Sequence, residues 1–105
     1  MGLKVSLFDL KEYKDEFKKN ENIPVKLKIF WHPLSGGGKG TVYFKCKDSN
    51  YKISPEKKTY SIPKNGNYVG DEFFIKVTTG SKNHINIYAI GSGGGERSFD
   101  IDYLG

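Results

Sequence analysis

A single cysteine, Cys46, is all that the 105-residue chain offers. No intrachain disulfide can form, so the disulfide-stapled secreted scaffolds are excluded as a class. One domain of this length can bury a usable core without staples. A structural zinc site needs about four Cys or His ligands, and with 2 His the chain falls short of that set. No apolar run approaches the roughly 18–20 residues that cross a bilayer. The start, Met1-Gly2-Leu3-Lys4-Val5, lacks a basic segment followed by an apolar one, so no signal peptide is expected. The Met1-Gly2 pair fits a domain excised from a larger protein, and the compartment stays open. Glutamine is absent while Lys, Ile, Tyr and Asn abound, a bias that reflects genomic base composition.

Arginine is nearly absent too. Arg97 is the only one among 17 Lys and Arg, against 12 Asp and Glu, for a net charge of +5. Arginine carries the bidentate fork that reads guanine or clamps phosphate, whereas lysine is a solvated point charge. A lysine-rich surface therefore predicts solubility and weak, salt-sensitive attraction to anions.

What the chain has in quantity is alternation of apolar and polar residues, the period-two pattern of half-buried strands. Leu3, Val5 and Leu7 open a first strand. Ile23, Val25, Leu27, Ile29 and Trp31 share the apolar face of a second, with Lys26 and Lys28 facing away. Val42, Phe44 and Cys46 mark a third. Tyr51 with Ile53, and Tyr60 with Ile62, mark short pieces. Phe73, Ile75 and Val77, then Ile85, Ile87 and Ala89, then Phe99, Ile101 and Tyr103 complete the series. The breaks carry turn chemistry: Ser35 to Gly40, Ser54-Pro55, Asn65-Gly66, Thr79-Gly80-Ser81 and Gly91 to Gly95. Asn-Gly is the strongest of these as a hairpin signal. One segment breaks the alternation. Leu10, Tyr13 and Phe17 have helical spacing, and Asp9 with Glu12 forms a capping box. Residues 9–22 are thus expected to be either one or two helical turns or a charged crossover between sheets.

The pattern predicts one all-β domain over residues 1–105: an immunoglobulin-like antiparallel β-sandwich of seven or eight strands, with room for one short helix after the first. From Ile23 onward the chain resembles the CARDB-type immunoglobulin-like modules of bacterial and archaeal surface proteins. The resemblance rests on the alternating strand Val25 to Trp31, the glycine turn and second alternating strand, and the Tyr51-Lys52-Ile53-Ser54-Pro55 step. Ile62-Pro63 with Asn65-Gly66 before the long Phe and Val strand completes it. Asp9 to Asn22 departs from that family pattern. The resemblance implies a prokaryotic module without catalysis, one that spaces, stiffens or binds, although fold alone does not fix function.

A search for chemistry points the same way. Gly36-Gly37-Gly38-Lys39-Gly40-Thr41 looks like a phosphate loop, but such a loop needs Gly-Lys-Ser/Thr opening a helix. Here Gly40 intervenes and a strand follows, so a hairpin loop is expected. A nucleophilic pair would need Cys46 near His32 or His84. Cys46, however, falls on an apolar face, where a thiol is usually inert. Asp71, Glu72, Asp100 and Asp102 could offer calcium its oxygens, but cross-strand pairing with lysines is their commoner use. No metal or cofactor is expected.

In an immunoglobulin topology the two glycine loops lie at one pole, bringing Trp31, His32, Lys39 and Arg97 together. Trp and Arg are the side chains most enriched at binding hot spots. Trp31 also shares a face with Val25, Leu27 and Ile29, so core packing competes with that role. The expected function is a non-enzymatic interaction or structural module that binds a protein or glycan through this pole, as a monomer or weak dimer without membrane insertion. The alternative is a salt-sensitive binder of nucleic acid or acidic polymers through lysine-bearing strand faces, with Tyr43, Tyr68 and Tyr88 exposed between the lysines.

Overall fold

A computed structural model describes residues 5–11, 14–31, 38–62, 69–92 and 95–105. Nine strand segments run in order: β1 (Val5–Lys11), β2 (Glu16–Phe17), β3 (Ile23–Trp31), β4 (Gly38–Cys46), β5 (Ile53–Ser54), β6 (Lys57–Ile62), β7 (Val69–Val77), β8 (Asn83–Gly91) and β9 (Glu96–Tyr103). Two of them, β2 and β5, are only 2 residues long, which leaves seven substantial strands, as the alternation predicts. They form a 4-stranded sheet in the order β1-β3-β7-β5 and a 5-stranded sheet in the order β2-β9-β8-β4-β6. The fold is the expected immunoglobulin-like sandwich, with one parallel pairing, β2 to β9.

The core is the set of inward positions of both sheets. Ile23, Val25, Leu27, Ile29, Ile75 and Val77 meet Val42, Phe44, Ile85, Ile87, Ala89, Ile101 and Tyr103. Each is an alternate residue of its strand, because successive side chains of a pleated strand point to opposite faces. Fully burying a Val, Ile, Leu or Phe side chain contributes about 1.5–3 kcal/mol, so this one face of each strand supplies the main driving force.

No helix follows β1 among the described residues; the chain instead crosses from one sheet to the other between β1 and β2, the alternative expected for residues 9–22. Asp9 to Lys11 continue β1 against β3, with a register shift between Leu7 and Asp9. Glu16–Phe17 pairs with the end of β9, and no helix occurs among the described residues. Phe17 is 0% exposed, and its carbonyl accepts from the Leu104 N–H at 2.9 Å. Asp15 C=O likewise accepts from Asp102 N–H at 2.7 Å. Burying Phe17 and pairing its backbone outweigh a capping box, whose worth is about 1 kcal/mol.

A second expectation is corrected. The hairpin read at Asn65-Gly66 joins β6 to β7, which lie in different sheets, and residues 63–68 fall outside the described set. Gly38 to Thr41, expected in a loop, are strand residues of β4 paired with β6. Strands β3 and β4, joined through residues 32–37 outside the described set, lie in different sheets, as do β7 and β8 on either side of the Gly80 turn. Only the Gly91 to Gly95 turn is a hairpin, between β8 and β9. Turn residues tell where the chain reverses; the partner of the next strand is decided by which face and edge it can bury.

Side chains across the β6–β7 flank clasp the two sheets. Lys58 Nζ lies 2.5 Å from Asp71 Oδ2, and Tyr60 donates its hydroxyl to the same oxygen at 3.3 Å. The Lys58 ammonium also stands 4.3 Å from the Phe73 ring centroid. Burial, then the Asp71 charge, push the Tyr60 phenol well above its usual range.

Candidate functional site at the glycine pole

Strands β4 and β8 run antiparallel with Val42 opposite Gly91, so the start of β4 and the end of β8 share one end of the sandwich. The junction is fixed by reciprocal bonds. Ser92 N–H donates to the Thr41 carbonyl at 2.8 Å, and Thr41 N–H donates to Ser92 Oγ at 3.2 Å. Gly91 N–H donates to Gly95 C=O at 2.7 Å, closing the turn. Past this knot β4 continues toward Gly38 with β6 alongside, Lys39 opposite Ser61. At about 3.3 Å per residue the β4–β6 arm projects about 13 Å beyond the level of Gly91.

Trp31 ends β3 at this same end, with its backbone opposite Val5; His32 lies outside the described residues. Lys39 is exposed on the outer face of its sheet, out of phase with inward-facing Val42 and Phe44. Arg97 is exposed as well, but it pairs with Ala89, which is 0% exposed. It therefore stands on the inner-face side, in phase with Ile101 and Tyr103. Through Ala89, Arg97 is level with Phe44, two strands across and five residues along from Lys39. That separation is about 19 Å at ordinary sheet spacings. Lys39 and Arg97 thus occupy opposite faces of one sheet. Only a ligand large enough to straddle the pole could touch both.

The residues considered for catalysis are also separated. Cys46 faces inward opposite Ile87 and is 9% exposed, and burial raises its thiol pKa. His84 faces outward, its Nδ1 2.8 Å from Asp102 Oδ1. That hydrogen bond, followed by the Asp102 and Asp100 charges, raises the imidazole pKa above its ordinary value. Asp100 accepts from Asn86 Nδ2 at 2.9 Å, and Asp71 is held by Lys58 and Tyr60. Among the described residues no group of three or more His, Cys, Asp or Glu is placed to hold a metal ion. A shallow cleft of about 370 Å³, lined by residues including Tyr43, Cys46, Tyr51, Ile53 and Glu56, lies toward the other end of β4 from Gly38. No helix among the described residues is long and apolar enough to cross a membrane.

The outward placement of the strand lysines and of Tyr43 and Tyr88 was legible in the sequence, Tyr68 lying outside the described residues; the way charge is distributed over the outer face was not. Lys39, Lys45, Lys47 and Lys57 fall on β4, its extension and β6, while Glu16, Glu96, Asp100 and Asp102 fall on β2 and β9. Detecting that segregation requires the strand order, which no local pattern supplies.

Neither a family model nor a curated protein matches the sequence. Solved structures do. The CARDB domain of a Pyrococcus furiosus protein, in complex with di-metal ions, matches with a TM-score of 0.55 at 16% identity, over 98% of this chain and 88% of that one. A β-glucosidase from Listeria innocua matches with a TM-score of 0.55 at 15% identity, over 99% of this chain but 16% of the enzyme. The chain has the fold of the CARDB domain, as the Val25 to Trp31 and Tyr51 to Pro55 patterns imply.

Proposed function

We propose that the chain is a non-catalytic interaction or structural module that holds a protein or glycan partner at its glycine pole, with Trp31, His32, Lys39 and Arg97 as the contact residues. The observation that carries this is the Thr41–Ser92 knot, which ties strand β4 to the turn between β8 and β9. It fixes the strand ends of this pole to one another, and binding residues most often sit beside such a rigid scaffold. The placement of Lys39 and Arg97 on opposite faces favours a macromolecular ligand over a small metabolite. The likeness to a CARDB domain, and to a segment making up 16% of a β-glucosidase, supports a module that serves alongside other domains.

The test is retention of partners from a lysate of the source cells on the immobilised chain, washed at about 0.15 and then about 0.5 M salt to strip screened contacts. A single protein or glycan that survives the second wash supports the pole. Trp31→Ala should then abolish retention with an unchanged melting point. A loss of about 3–5 kcal/mol in stability with retention intact would return Trp31 to the core. Material that leaves entirely in the second wash would favour the other reading, a salt-sensitive binder of nucleic acid or acidic polymer. That reading rests on Tyr43, 41% exposed, standing opposite Lys57 on the outer face.

A further inference from the structure

The outer face of the 5-stranded sheet is divided by charge into two halves. Cross-strand neighbours share a face, so the registers fix its rows. One row reads Glu96, Ile90, Tyr43, Lys57 across β9, β8, β4 and β6. The next reads Ser98, Tyr88, Lys45. The next reads Asp100, Asn86 and Lys47, the last held in register by its N–H to the Asn86 carbonyl at 3.1 Å. At the far end Glu16, Asp102 and His84 stand side by side. Carboxylates therefore line the β9 side and lysines the β4–β6 side, while at the β2 edge Lys14 and Lys18 flank Glu16. Between them, central strand β8 presents Ile90, Tyr88 and Asn86, all half-buried, with His84 exposed beyond them. Tyr43 extends this apolar strip and is among the most exposed large hydrophobics described.

We infer that this face is a self-association surface, and that its occupant is a second copy of the chain related by a two-fold axis running along β8. Rotation about that axis lays the carboxylate side of one copy over the lysine side of the other, row against row. Asp100 meets Lys47, and Glu96 meets the Tyr43–Lys57 pair. Ile90 and Tyr88 lie on the axis and meet their own counterparts, as an isologous interface requires. An acidic or basic partner would satisfy one half of the face and repel the other; a second copy satisfies both. The face measures about 19 by 30 Å, or about 570 Å² per copy, below the roughly 800 Å² per partner of a standard specific interface. The association is consequently weak and concentration-dependent. Because the axis parallels the strands, both glycine poles point the same way, and a partner carrying repeated sites gains avidity.

Sedimentation velocity of the whole chain from about 10 µM to about 1 mM, the range of weak interfaces, tests this. The mean mass should climb from 11.9 kDa toward twice that value. Two variants give the decisive arm, once circular dichroism shows both folded: Lys45→Glu with Lys47→Glu, and Glu96→Lys with Asp100→Lys. Each alone should stay monomeric where the wild-type chain dimerises. Their equimolar mixture should restore dimerisation as a heterodimer of about wild-type strength, because one face is then predominantly acidic and the other predominantly basic. A wild-type chain monomeric throughout, a mixture that stays monomeric, or two variants that dimerise as well as wild type would each overturn the inference. Capture of an acidic polymer by a monomeric wild-type chain would do so as well. Partner retention at the pole is read separately on the same variants, so failure of either idea leaves the other standing.

Discussion

Tyr103 should be improved by losing its hydroxyl. The ring is 0% exposed and packs edge-on against Tyr51 with centroids 5.7 Å apart, while the buried hydroxyl finds no hydrogen-bond partner among the described residues. An unsatisfied buried hydroxyl costs about 1–3 kcal/mol in desolvation. Tyr103→Phe keeps the ring and its contacts and removes that cost. The vacated oxygen leaves a void of about 10–15 Å³, worth only about 0.3 kcal/mol at 24 cal/mol per Å³. The variant should gain about 1–2 kcal/mol, seen in urea denaturation as a higher midpoint at unchanged slope. Its melting temperature should rise by about 4 °C or more. Tyr51→Phe is the matched contrast. Its hydroxyl donates to the Ser81 carbonyl at 3.0 Å, so that variant should lose about 0.5–1.5 kcal/mol. If Tyr103→Phe is destabilised by more than about 1 kcal/mol, the hydroxyl has a partner and the reasoning fails.

Other expectations follow from single sites. Gly80 has φ 93°, and an added Cβ would be driven into the ring of Tyr51. Gly80→Ala should therefore cost about 2–4 kcal/mol from left-handed strain and overpacking together, measured by denaturant unfolding; Gly70→Ala, with open space around it, should stay within about 0.5 kcal/mol of wild type. His84 should titrate above its usual 6.5 because of Asp102, so its stabilising contribution is full below that value and fades as pH rises through the raised folded pKa. An NMR titration checks this, and Asp102→Asn should bring the pKa back down; a wild-type value at or under 6.5 would contradict it. The Cys46 thiol, buried with its pKa raised, should react with a disulfide reagent far more slowly in the native chain than in urea, and equal rates would contradict the assignment.

What could be read from the sequence was whatever depends on neighbours in the chain. Ile23, Val25, Leu27 and Ile29 sit inside because pleating is a local property, and the same holds for Ile85, Ile87 and Ala89. Strand partners are not local. Asn65-Gly66 and Gly36 to Gly40 have the same turn chemistry as Gly91 to Gly95, yet only the last closes a hairpin, because β4 pairs with β6 and β8 whereas β3 and β7 pair with each other. At Asp9 to Phe17 a good local helix signal lost to burial of one phenylalanine against β9. The pole lay between these cases. Lys39 and Arg97 flank neighbouring loops, which suggested convergence, but the parity of their strands places them on opposite faces. Arg97 keeps step with Ile101 and Lys39 does not keep step with Val42, a signal already present in the alternation.

The most direct test of the binding pole is a side-by-side retention experiment with three immobilised proteins. These are the wild-type chain, a pole variant carrying Lys39→Glu with Arg97→Ala, and an outer-face control carrying Lys45→Glu with Lys47→Glu. The account predicts one protein or glycan held by the wild type and the control through a wash at about 0.5 M salt. The same ligand should be lost from the pole variant once circular dichroism shows that variant folded. Retention by the folded pole variant equal to that of wild type would contradict it.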